Sequence, residues 1–181
     1  MPGEPVRWHP RGTDPHAAVR AHVVDVLGPG EVQVGRHCPV CGSPRHGRPW
    51  ARHTPSPAGR AREVHVSLSR AGDHLVTAVS VDGPVGVDIE VVADVGGRWQ
   101  GALVLARGET ATGAEEMAWL WCAKEAVLKR RGTGLTVPMT DVRLADEAAV
   151  VPLLGSPTGL VGAVASGPRR PARPRARQHR Q

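Results

Sequence analysis

The chain contains no phenylalanine and no tyrosine, so five tryptophans, Trp8, Trp50, Trp99, Trp119 and Trp121, supply all of its aromatic packing. Most of any core must then be Val, Leu and Ala. With 22 glycines and 17 prolines among 181 residues, long connections between elements are expected. A chain of this length buries one good core or two small packed ones. No apolar run approaches membrane-spanning length, and the N-terminus shows no signal-type apolar segment. Three cysteines cannot all pair with one another, which points to a reducing compartment and a cytoplasmic protein.

The order of elements reads as a duplication. Val64 to Ser69 and Leu75 to Ser80 form a hairpin pattern around Gly72-Asp73, and Asp141 to Leu144 with Leu160 to Ala165 read as a second strand pair. Helical material precedes each pair, at Pro15 to Leu27 and at Thr112 to Arg131. The expected fold class is α+β, with two pseudo-symmetric halves and a cleft between them. The N-terminal half spans 1–84, the C-terminal half 85–167, and 168–181 is an Arg/Pro-rich tail expected to be disordered.

Charge falls in blocks. Residues 1–62 carry a net +5 and residues 63–168 a net −5, while 169–181 holds six arginines and no acid. The body is near neutral, which argues against nucleic acid as its partner. A monomer, a pseudo-dimer within one chain, is expected.

Of the 23 basic residues only two are lysines, and both lie in Trp121-Cys122-Ala123-Lys124-Glu125-Ala126-Val127-Leu128-Lys129. Ammonium is a compact point charge, unlike the flat fork of guanidinium. Two ammoniums around Glu125 point to a site holding phosphate oxygens and a cation together; the plainer reading is a solvated Glu-Lys pair. Thr112-Gly113-Ala114-Glu115 fits a capping box, and Gly132 or Gly134 can end the helix. Glu125 and Lys129, four apart, share one face, with Trp121 a turn earlier.

Upstream, Val85-Gly86-Val87-Asp88-Ile89-Glu90-Val91 alternates as a strand, with Asp88 and Glu90 together on one face. Adjacent acids repel unless a cation or donors neutralise them. A polar outer face would explain the pair alone. With Glu125 it becomes a three-carboxylate site, and oxygen donors without histidine favour Mg²⁺ or Mn²⁺.

These two segments resemble the signature of the 4′-phosphopantetheinyl transferases. A Gly-Val-Asp-Ile-Glu strand, Gly86 to Glu90, precedes Trp121, Lys124, Glu125, Ala126 and Lys129. The resemblance is to the larger single-chain, surfactin-synthetase-activating type that serves peptide and polyketide synthetases. Gly47-Arg48-Pro49, Ser67-Leu68-Ser69-Arg70 and Arg131-Gly132-Thr133-Gly134-Leu135 resemble further family segments, in order. Arg48 stands where the family usually has Lys and Arg70 where it usually has His; both keep a positive donor. The resemblance implies that coenzyme A is bound through Arg48, Ser69, Arg70 and Lys124, and Mg²⁺ by Asp88, Glu90 and Glu125. It further implies transfer of the phosphopantetheine arm to a serine of an apo carrier protein, acyl or peptidyl, releasing 3′,5′-ADP. On this resemblance Glu125, directly or through a metal-bound water, would take the serine proton, and Lys129 would offset charge on the pyrophosphate. Glu109 falls where the family often has another acid. The alternatives are a catalytically impaired binder of coenzyme A or carrier protein, and a nucleic-acid binder acting through the tail.

Cys38-x-x-Cys41 followed by His46 has zinc-ligand spacing, and His37 or His46 can add donors. Cys122 lies in the catalytic helix, so the sequence favours two cysteines that fix a turn.

Overall fold

Asp14 accepts a hydrogen bond from the Ala17 amide at 2.8 Å, and Pro15 occupies the first helical turn. Together they start helix α1, Pro15–Leu27, which ends at Gly28 with φ +84°. A computed structural model describes residues 4–57, 59–147 and 149–167; the tail at 168–181 lies outside the described residues. The strands β1 (Val6–His9), β2 (Gly30–His37), β3 (Arg48–Pro55), β4 (Arg62–Ala71) and β5 (His74–Ser80) form an antiparallel sheet in the order β1-β5-β4-β3-β2. Val19 and Val23 of α1 pack on Ala51, Val64, Val66 and Val79 of that sheet.

The second sheet is smaller, with β6 (Val85–Val91), β7 (Val150–Pro152) and β8 (Leu160–Ser166) in the order β6-β8-β7. Between β6 and β7 run two short helices, α2 (Val92–Gly97) and α3 (Gly101–Val104), and the long helix α4 (Ala114–Arg131). One face of β6, through Val85, Val87 and Ile89, packs on Ala71, Val76 and Ala78 of the first sheet. The far side of the small sheet is covered by α4, where Ala126, Val127 and Cys122 meet Ala163 and Ala165. The order is therefore helix, sheet, sheet, helix, an α+β fold as expected. In both sheets the first strand pairs antiparallel with the last, β1 with β5 and β6 with β8. Among the described residues no helix is long and apolar enough to cross a membrane.

Two local expectations are corrected. Asp141 to Leu144 is not a strand; it lies across two 3₁₀ turns, Met139–Asp141 and Leu144–Asp146, and β8 pairs instead with β6 and β7. Val142 and Leu144 do turn inward, but side chains rather than a strand ladder hold the segment. Lys124 Nζ donates to Met139 O at 3.1 Å, and the Leu144 amide donates to Glu109 Oε1 at 2.9 Å. The start of α4 also differs from a Thr112–Glu115 box. Gly113 is the N-cap, and Glu116 reaches back to the amide and hydroxyl of Thr112 at 2.8 and 2.9 Å. The carboxylate is in the first turn, where the helix dipole favours it, but one residue later. The other end is as expected: Gly132, at φ +76°, ends α4 in the left-handed region.

Beneath α1, two histidines share one hydroxyl. His22 Nε2 lies 2.8 Å from the Glu4 carbonyl, which can only accept, so this nitrogen carries the proton. Its Nδ1 lies 2.7 Å from Thr77 Oγ1, and His9 Nε2 lies 2.7 Å from the same hydroxyl oxygen. Burial, helped by the Arg7 charge, pushes His9 down to about 4. Burial also lowers His22, against the upward pull of the Glu4 carbonyl. Depressed folded values mean that the unfolded chain binds more protons below the ordinary histidine value. Stability from this pair is thus present at pH 7 and lost as the pH falls through about 6 toward 4. Urea midpoints measured between pH 7.5 and 4.5 should fall, and Thr77→Val with His9→Gln should flatten that slope.

Candidate active site

The site begins with a missing side chain. A Cβ on Gly86 would lie 1.9 Å from Ala126 O and 2.6 Å from Arg130 N, so β6 and α4 touch backbone to backbone. No residue with a Cβ fits there without moving the helix. The contact brings the next residues on that strand face, Asp88 and Glu90, under the Trp121-Glu125-Lys129 face of α4. This face of β6 is an interior one rather than a polar outer face.

Asp88 is only 3 % exposed. Its Oδ1 accepts from Ser69 Oγ at 2.6 Å and from Lys129 Nζ at 2.6 Å, and Lys129 also reaches Ser69 Oγ at 3.3 Å. Three elements thus converge on one oxygen: β4 of the larger sheet, β6 of the smaller, and the last turn of α4. Among the described residues the other oxygen, Oδ2, is buried without a hydrogen-bond partner. A buried polar atom left unpaired costs about 1–3 kcal/mol and calls for a ligand.

Glu90 and Glu125 share this neighbourhood. Burial and the Asp88 charge push Glu90 up to about 7, with Glu125 adding to the rise and Lys129 and Arg98 opposing it. Glu125 is raised by burial and by Asp88, again against Lys129. Two acids raised by burial and by the Asp88 charge, beside that unpaired oxygen, suit a hard divalent cation. Cys122 Sγ donates to Val161 O at 3.6 Å, and burial with the nearby Asp88 charge keeps its thiol protonated.

The cleft arises because β6 lies over β4 and β5 and leaves the inner face of β3 uncovered. Arg48, Trp50 and Arg52 alternate on that open face and line a cavity of about 670 Å³ with His65 and Glu63. A second cavity, about 270 Å³, runs from Arg48 and Pro39 to Ser67, Lys129 and Thr133. Arg48 and Gly132 border both. The Arg48 Nη1 lies 2.6 Å from where a Gly132 Cβ would be, so this glycine makes room for the guanidinium. Glu90 also borders a separate pocket of about 320 Å³ walled by Arg98, Trp99, Leu103 and Trp121.

The structure thus sets Glu90 and Glu125 within the electrostatic reach of Asp88 and Lys129, although among the described residues only Cys38, Cys41 and His46 bring three donor atoms within 4.8 Å, and it places Arg48 on the cleft that reaches Lys129. It sets Lys124 and Arg70 apart from that group, while Ser69 joins it through Asp88. Lys124 is fully buried, paired with Glu109 at 2.5 Å and donating to Val104 O at 2.6 Å and Met139 O at 3.1 Å. All three ammonium protons are engaged, so the expected phosphate contact is corrected to an internal anchor. Burial alone would raise Glu109, but the Lys124 ammonium with the Leu144 and Ala106 amides holds it below the usual carboxylate range. Ser69 is likewise committed to Asp88 rather than open to the cleft. Arg70, on the opposite face of β4 from Ser69, donates to Thr13 O at 3.0 Å and is absent from the cavity walls.

Sequence reasoning missed the partners of Ser69 and Lys124. The second had a signal: Lys124 stands between Leu120 and Leu128 at helical spacing, on a buried stripe. Lys124→Met leaves Glu109 without its cation and two carbonyls without a donor. It should destabilise by about 3–5 kcal/mol, read as a lower urea midpoint. A phosphate-binding lysine would instead leave the midpoint unchanged and weaken only ligand binding.

A search of curated proteins finds no match to this chain. Residues 84–158, which carry Asp88, Glu90, Glu109, Lys124, Glu125 and Lys129, match the family model of the 4′-phosphopantetheinyl transferase superfamily.

Proposed function

We propose that this protein transfers the 4′-phosphopantetheine arm of coenzyme A to a serine of an apo acyl or peptidyl carrier protein and releases 3′,5′-ADP. The observation that carries this reading is Asp88: buried, fixed on one oxygen by Ser69 and Lys129, unpartnered on the other, beside Glu90 and Glu125. The family match over 84–158 supports phosphopantetheine transfer in general. In this reading residues 1–84 bind the nucleotide end and residues 85–167 hold the reacting end.

The open face of β3 suits a long, anionic ligand. Arg48 stands where the two cavities meet and takes the pyrophosphate. The Trp50 ring, lying on Gly35, and Arg52 offer a flat surface and a guanidinium to the nucleotide. Asp88, Glu90 and Glu125 would hold Mg²⁺ or Mn²⁺, which when bound supplies Lewis-acid polarisation of the phosphoryl oxygens.

The serine Oγ forms a bond to the β-phosphorus, and the bond from that phosphorus to the α–β bridging oxygen breaks. Glu125 accepts the serine proton; burial and the Asp88 charge make it a stronger base than an exposed glutamate. The electron pair leaves on 3′,5′-ADP, where Lys129 offsets the new charge from a position already fixed by Asp88 and Ser69.

Incubating the protein with coenzyme A, Mg²⁺ and apo carrier proteins should add one phosphopantetheine arm per carrier, read by intact-protein mass spectrometry. Glu125→Gln, which keeps shape but loses basicity, should slow the gain by roughly 10²–10⁴-fold. Coenzyme A binding with no mass gain on any carrier would reject transfer and leave a binder.

A further inference from the structure

The long loop between β2 and β3 carries a second cluster that the transfer chemistry does not use. Cys38, Cys41 and His46 bring two sulfurs and an imidazole nitrogen within 4.8 Å of one another. Cys41 Sγ is 3.3 Å from His46 Nε2. A tetrahedral zinc with Zn–S ~2.3 Å and Zn–N ~2.0 Å requires S···S and S···N edges of ~3.8 and ~3.6 Å. The cluster is therefore already near ligating geometry.

The backbone is built for the same purpose. Gly42, at φ +71°, closes the turn with its amide on Cys38 O at 2.8 Å, and the Cys38 amide returns to Ser43 O at 3.0 Å. Gly47 then lies against the knuckle: a Cβ there would meet His37 O at 2.4 Å and Cys38 Cα at 2.6 Å. Arg36 fixes this crossing by donating to Gly47 O at 3.1 Å. His37 is not among the converging donors.

We infer that Cys38, Cys41 and His46 form a zinc site, with a water in the fourth position, that clips the Pro39–Gly47 loop. Binding deprotonates two thiols and releases two protons, so Zn²⁺ and two thiolates leave the clip neutral. Soft sulfur donors separate this site from the all-oxygen cluster at Asp88, which suits a hard ion. The clip ends one residue before Arg48, and Pro39 lines both cavities, so the metal stiffens a wall of the cleft.

The test is a Co²⁺ titration of the reduced protein, followed by absorbance. One equivalent should bind with a thiolate-to-cobalt charge-transfer band, and Zn²⁺ should displace it. Cys41 and His46 are exposed, so replacing either leaves the core intact. Cys41→Ser should abolish most of the band and weaken binding by ~100-fold or more, and His46→Ala by ~10-fold or more, at least what second-shell losses cost. Asp88→Ala should leave the band unchanged. No thiolate band in the reduced wild type, or a band that survives both Cys41→Ser and His46→Ala, would overturn the assignment.

Discussion

The close contact between Gly86 and the backbone of α4 is the constraint on which the site depends. A strand and a helix normally keep side chains between them. Here the Ala126 carbonyl and the Arg130 amide occupy the space of a Cβ. That approach lets the short carboxylate of Asp88 reach the last turn of the helix, where Lys129 Nζ is 2.6 Å away. It also lets Ser69 join from the other sheet, so one carboxylate oxygen ties both sheets and the helix together. A larger residue at 86 would lift α4 and separate Lys129 and Glu125 from the strand acids together.

The two lysines of α4 show how neighbouring positions on one helix take opposite tasks. Lys124 is enclosed, with Glu109 and two carbonyls around its ammonium, and holds the 3₁₀ segment after α4 against the α2–α3 region. Lys129, on the next stripe, keeps partial exposure and lines the cleft. The adjacent arginines are engaged elsewhere: Arg130 and Arg131 both pair with Glu147. Within the last turn of α4, Lys129 is the cation directed at the acids. A lysine suits that place because its small head fits against Asp88 and still presents charge to a ligand.

Much of this was legible in the sequence because its patterns are local. Alternation from Val85 to Val91 gave β6 and the pairing of Asp88 with Glu90 on one face. The four-residue spacing of Trp121, Glu125 and Lys129 gave the active face of α4. Pro15 to Leu27 matched α1 because a proline at its start and a glycine after its end are backbone signals. What stayed hidden depends on distant partners. Ser69 reads as a small polar residue in a strand until β6 is laid beside it. Asp141 to Leu144 alternates like a strand, yet Glu109 captures the Leu144 amide from 35 residues away, and Lys124 captures the Met139 carbonyl just ahead of the segment. Lys124 reads as a surface charge unless its place between Leu120 and Leu128 outweighs its chemistry.

Asp88, Glu90 and Glu125 are proposed to hold a divalent cation. Electron paramagnetic resonance of Mn²⁺, an ion that favours oxygen donors over the cysteines of the β2–β3 loop, measures this directly. A cation site at these acids should give one bound Mn²⁺ per chain in the presence of coenzyme A, and lose that binding in a folded Asp88→Ala variant. Mn²⁺ bound equally by the wild type and by Asp88→Ala would place the cation elsewhere and contradict it.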